Sequence, residues 1–92
     1  MASPRSAEMS TLYEPVLSSK AWEHLSSCTK SRQRRLIKLI NTLADYPFQL
    51  GDYQTTDSVG RPIENLRIEG YMIIYWADHA VKELRILDLV RL

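Results

Sequence analysis

The chain has 92 residues, enough for one domain with a single hydrophobic core and too few for two. Its residues are 45% hydrophobic and 25% charged, ordinary for a soluble globular protein. The net charge of +1 excludes a polycation, so any contact with nucleic acid must rest on a local basic patch.

Residues 1–10 are small and polar, broken by Pro4, and read as a flexible tail ahead of a single domain over 11–92. Met1 and Met9 are both possible starts. Nothing at the N-terminus resembles the apolar core of a signal peptide, and no apolar run nears the roughly 20 residues a bilayer span needs. Cys28 is the single cysteine, so it has no internal disulfide partner. It reads as a small packing side chain in a reducing setting, with a catalytic thiol as the lesser reading. His24 and His79 are far apart in the chain and suggest no metal pair. A cytoplasmic protein without cofactor or metal is expected.

In Thr11–Leu17 the residue types suit a strand, but Pro15 cannot donate to a ladder, which predicts a short or edge strand. Ser18 or Ser19 then caps a first helix, in which Ala21, Trp22, Leu25 and Cys28 recur at helical spacing. Thr29–Ser31 is a break. From Arg32, Leu36, Leu39, Ile40 and Leu43 define a second amphipathic helix, with Ile37 and Ala44 widening its apolar stripe. Pro47 ends it, because the residue before a proline is pushed out of the α region.

Gly51 opens a different regime. Asp52–Asp57 reads as a strand, and 58–61 as a turn. Pro62–Ile68 alternates, with Ile63, Asn65 and Arg67 on one face and Glu64, Leu66 and Ile68 on the other. Glu69-Gly70 is a tight turn. Tyr71–Trp76 is apolar on both faces, as a central strand should be. Asp78–Ala80 turns into a last strand over Val81–Leu89, with Leu84 and Ile86 on one face and Arg85, Leu87 and Leu89 on the other. The predicted fold class is α+β: two N-terminal helices on one face of a small antiparallel sheet of four to five strands.

This order resembles the RelE/ParE superfamily of toxin–antitoxin toxins. The resemblance rests on Arg67, then Gly70-Tyr71-Met72-Ile73-Ile74-Tyr75, Asp78 at the turn, and Glu83–Asp88 in the last strand. Upstream it rests on Leu43–Pro47 followed by Gly51-Asp52, and it spans about residues 12–92. It implies a cognate small antitoxin as partner, with a heterotetramer as one assembly. It also implies one of three roles: a ribosome-dependent mRNA endoribonuclease that inhibits translation, a poison that binds DNA gyrase, or a member that binds only its antitoxin.

RNA cleavage on such a fold needs cations aimed at the charge developing on the phosphate. The resemblance places Arg91 at the arginine closing the last strand, and Arg67 at a basic position of the sheet. Other cation positions of RelE-type members hold Ile63, Asn65 and Met72 here, and no tyrosine follows Arg91 in the sequence. Arg67, Arg85 and Arg91 are therefore the candidate catalytic set. Asn65, Arg67 and Arg85 would hold a phosphate if they share the open face. The alternative is that strand arginines pair with Glu64, Glu83 or Asp88. His79 is a candidate general base, since imidazole is the side chain suited to proton transfer near neutrality, although Asp-His in a hairpin tip is more simply a turn. Lys30, Arg32, Arg34, Arg35, Lys38 and Arg61 are candidate phosphate contacts, with a solvated helix face as the plainer reading of the first five. Trp22, Tyr46 and Trp76 read as packing residues.

Overall fold

A computed structural model describes residues 13–92 of the chain. The N-terminal tail and the start of the first predicted strand lie outside these described residues. Strand β1 covers Glu14–Leu17, helix α1 Ser19–Ser27, helix α2 Lys30–Asp45, and strands β2 to β5 cover Tyr53–Thr56, Pro62–Ile68, Tyr71–Asp78 and Glu83–Arg91.

Each helix begins where a hydroxyl can meet an orphan N–H. Ser18 Oγ accepts from Ala21 N at 3.1 Å, and Thr29 Oγ1 accepts from Arg32 N at 3.4 Å. The Ser18 hydroxyl also donates to the Leu87 carbonyl at 2.6 Å, which ties the start of α1 to β5. The break between the helices is shorter than the sequence suggests, and α2 starts at Lys30.

The sheet order is β1-β5-β4-β3-β2. Strands β2 to β5 are antiparallel neighbours, as predicted. One pair adds to that picture: β1 runs parallel to β5, so the five-stranded sheet is mixed. The two helices supply the long crossover that a parallel pair requires. Pro15 lies in this edge strand, where a missing N–H costs no ladder bond on the outer side. Glu69 and Gly70 both have positive φ (51° and 83°), the conformation of a two-residue hairpin turn that matches strand twist.

Both helices cover one face of the sheet. Ala21 and Leu25 of α1 and Leu36, Ile40, Leu43 and Ala44 of α2 pack with Leu66, Ile73, Tyr75, Leu84, Ile86 and Leu89. Strand alternation fails once. A register shift between Ile74 and Tyr75 leaves Leu87 as an extra residue in β5, because Tyr75 pairs with Ile86 and Ile74 with Asp88. The bulge turns Leu89 into the core, where it is 2% exposed, instead of onto the face of Arg85. The same step carries Arg91, the partner of Tyr71, to the helix side.

Three apolar expectations fail. Trp22 and Tyr46 are 60% and 66% exposed, and Ile37 is 45% exposed. Helix α1 meets the sheet through Ala21 and Leu25, which rotates the neighbouring Trp22 outward. Ile37 follows the buried Leu36 by one residue, about 100° around α2. Tyr46 caps α2 in a non-helical conformation that points it off the end. Cys28 is half-buried against the core, with its thiol 3.3 Å from the His24 carbonyl.

Candidate functional site

Alternation along β3 and β5 puts Asn65, Arg67 and Arg85 on the side of the sheet away from the helices, since Leu66, Leu84 and Ile86 face the core. They do not converge. Arg67 lies opposite Met72 and Arg85 opposite Trp76, with β4 between them. Four strand positions and two strand spacings separate their backbones by about 13 Å along and 10 Å across the sheet.

Each member of that set has its own local geometry. The Asn65 side chain is buried and donates to the Tyr53 carbonyl (3.4 Å), the Thr55 hydroxyl (3.2 Å) and the Ile63 carbonyl (3.3 Å). Its amide holds the exposed β2 against β3. Arg85 donates to Glu83 at 2.7 Å, and its Nε is 4.0 Å from Asp78. Arg61 lies over the Trp76 ring at 4.0 Å from its centroid and pairs with Asp57 at 3.2 Å. The cross-pairing with Glu83 is the alternative that the sequence left open for Arg85. Arg67 is exposed, and no ion pair engages it among the described residues.

His79 is exposed at the β4–β5 tip. Its Nδ1 shares a hydrogen bond with the Tyr13 hydroxyl at 2.7 Å, and its ring stacks on Phe48 with centroids 4.7 Å apart. Arg91 pairs with the first residue of β4 and His79 follows the last, so about 23 Å of strand separates them. Asp78 Oδ1 accepts from Ala80 N at 3.2 Å, the hydrogen bond that a turn reading requires.

Tyr75 donates to the Gln49 carbonyl at 2.8 Å. Burial, followed by the nearby negative charges of Glu64 and Asp52, pushes its phenol up to about 12. It stays protonated at neutral pH and serves the fold. Among the described residues no group of three His, Cys, Asp or Glu side chains is placed to hold a metal ion. No described helix is long and apolar enough to cross a membrane.

The basic residues of α2 divide. Lys30, Arg34 and Lys38 are exposed. Arg32 donates to the Tyr71 hydroxyl at 3.3 Å, and Arg35 pairs with Glu69 at 2.8 Å. These two arginines meet Arg91 at a cavity of about 400 Å³ between α2 and the start of β4, with Thr29 and Ser31 at its rim. Reading the sequence did not join Arg91 to the helix arginines, nor did it single out Glu69 or the Tyr71 hydroxyl. No spacing rule links positions 32, 35, 69 and 91. A second, more apolar cavity of about 380 Å³ is lined by Phe48, Tyr75, Trp76 and His79.

This arrangement of two helices on one face of a five-stranded sheet is a RelE-like fold. It is similar to a chain of the toxin–antitoxin complex RelBE2 from Mycobacterium tuberculosis, with a TM-score of 0.72 over 88% of this chain and 99% of that one at 15% identity. It is also similar to a chain of the archaeal RelE–RelB complex from Pyrococcus horikoshii OT3, with a TM-score of 0.67 over 87% and 94% at 19% identity. No family model matches the sequence, and no curated protein matches it significantly. The likeness lies in the course of the backbone, which many different sequences can follow.

Proposed function

We propose that this protein is the toxin component of a toxin–antitoxin pair, held inactive by a small antitoxin, and that it acts by binding its target rather than by cutting RNA. The RelE-like fold carries the first part, because the two similar structures described above are toxin–antitoxin complexes. The dispersal of Arg67, Arg85 and Arg91 over two faces supports the second. Charge stabilisation of a phosphoryl transition state requires donors within hydrogen-bond reach of one reacting group. The open face of the sheet also carries the half-buried Ile74 and the exposed Val90 around a buried Met72, with no described helix over them, a surface suited to an antitoxin segment or a protein target. By the resemblance, DNA gyrase is the target class of such a non-cleaving toxin. A cytoplasmic heterotetramer with the antitoxin goes with this reading.

One observation favours a second reading, a ribosome-dependent mRNA endoribonuclease that inhibits translation. Arg32, Arg35 and Arg91 gather at one cavity, which would suit an RNA backbone.

Induced expression with transcriptome-wide mapping of RNA ends, beside a gyrase supercoiling assay, separates the two. Growth arrest with unchanged RNA ends, relieved by co-expression of a neighbouring small reading frame, is the expected result. New ends at ribosomal A-site codons that vanish in an Arg85→Ala/Arg91→Ala variant would overturn the non-cleaving reading in favour of the nuclease. Absence of any growth defect would leave only antitoxin binding and overturn the toxic role.

A further inference from the structure

We propose that the cleft between α2 and the β3–β4 turn is a phosphoryl-group binding site, on the opposite side of the sheet from Arg67 and Arg85. The cavity is the one that favours the nuclease reading, and phosphate binding there is tested by binding rather than by cleavage, so the two can fail separately. The site's first support is convergence. Arg32 and Arg35 come from the first two turns of α2, and Arg91 arrives from the far end of the chain through the bulge in β5. The lining brings three arginines together with the Glu69 side chain and with Leu92.

Its second support is the state of each donor. Glu69 takes Nη1 of Arg35 at 2.8 Å and leaves the remaining N–H groups of that fork. Arg32 gives one N–H to the Tyr71 hydroxyl, which also lies 3.9 Å from Cys28 Sγ, and the other N–H groups of its fork remain. No carboxylate lies within ion-pair distance of Arg91 among the described residues.

The geometry of the donors selects the ligand. A carboxylate offers its oxygens in one plane and suits one guanidinium fork, whereas a phosphate, as monoester or diester, is tetrahedral and accepts from donors that do not share a plane. The cavity volume of about 400 Å³ falls in the range of small-ligand sites. Lys30, Arg34 and Lys38 extend the positive charge along α2, which has no acidic residue before Asp45. The Tyr71 ring is buried in the core, so no exposed aromatic face is left for base stacking. The site therefore reads the phosphoryl group and not the base. That chemistry has two sources, a free nucleotide or the backbone of an RNA.

Calorimetric titration of the full chain with adenosine monophosphate, with a short oligoadenylate and with a polyglutamate peptide, at low and moderate salt, tests the site. Saturable binding of a phosphate probe is expected, weakened about tenfold by Arg91→Ala or Arg32→Gln, in line with loss of a charge-assisted hydrogen bond. Lys20→Ala, away from the cleft, should leave it unchanged. The Gly70 and Leu92 amides should shift in NMR spectra, since Leu92 N donates to the Gly70 carbonyl beside the cleft. Binding of the monophosphate assigns a free nucleotide, and binding of the oligonucleotide alone, with a steep salt dependence, assigns an RNA backbone; either supports the proposal. Failure of both phosphate probes, binding indifferent to Arg91 and Arg32, or equal binding of polyglutamate through the same residues would overturn it. Circular dichroism of each variant excludes unfolding as the cause of a loss.

Discussion

Arg35 and Glu69 meet at 2.8 Å across the mouth of the cleft between α2 and the β3–β4 turn. The pair joins a helix to a hairpin that no core residue of the turn itself reaches. Both side chains are well exposed, at 65% and 43%, so solvent screens most of their attraction.

Glu69→Gln should therefore change unfolding stability by less than about 1 kcal/mol in urea melts. It should also raise affinity for adenosine monophosphate severalfold, because the anion no longer competes with a resident carboxylate. A loss of several kcal/mol would show that the pair anchors the hairpin, and that the cleft is built on it.

Gly51 sits against β3. A Cβ there would lie 2.6 to 2.7 Å from backbone atoms of Asn65, and backbone cannot yield as a side chain can. Its N–H donates to Glu64 Oε1 at 2.7 Å, and Asp52 N donates to the Asn65 carbonyl at 2.8 Å. Gly51→Ala should cost about 1–3 kcal/mol by overpacking, read as a lower urea midpoint. An unchanged midpoint would mean that the chain entering β2 is free to move away.

Asn65 is the buried polar residue of the sheet among the described residues, and its Nδ2 reaches three acceptors. Asn65→Leu keeps the volume and leaves those acceptors unmet, at a cost of about 1–3 kcal/mol. The loss should appear as faster hydrogen exchange in Tyr53–Thr56 while the β4–β5 amides stay protected. Growth inhibition by the folded variant should persist. Its loss would instead mark Asn65 as a target contact.

Tyr75 sets an alkaline limit. Its phenol is pushed up to about 12 in the folded chain, whereas the unfolded phenol titrates near its ordinary value of 10.0. Below that value both states hold the proton and stability is unaffected. As pH rises from about 10 through about 12, the unfolded state loses the proton first, so stability falls across that window. Urea melts in alkaline buffer should show this decline, and Tyr75→Phe should flatten it while lowering stability at neutral pH through loss of the bond to Gln49.

The local elements were legible in the sequence. Periodicity marks the apolar face of α2, a serine at 18 or 19 suits a cap, Glu69-Gly70 suits a tight turn, and a proline in β1 confines it to an edge, whereas Thr29, read as part of a break, caps α2 in the structure. These are short-range constraints, set by backbone sterics and by water, and they hold wherever the element is placed. Gathering side chains from distant positions is a different matter. One extra residue in β5 reverses the side on which Leu89 and Arg91 emerge, and no pattern around Leu87 announces it. That reversal takes Arg91 away from Arg67 and Arg85 and sets it beside Arg32 and Arg35. Similarly, Trp22 and Tyr46 carry large apolar surfaces, yet the core is filled by their smaller neighbours Ala21 and Ala44, because helix packing selects for close approach. The sequence by itself determined the elements and the α+β class. Only the tertiary structure decided which cations share a site, since a charge pair or an anion cleft depends on distances between strands and helices that chain order does not encode.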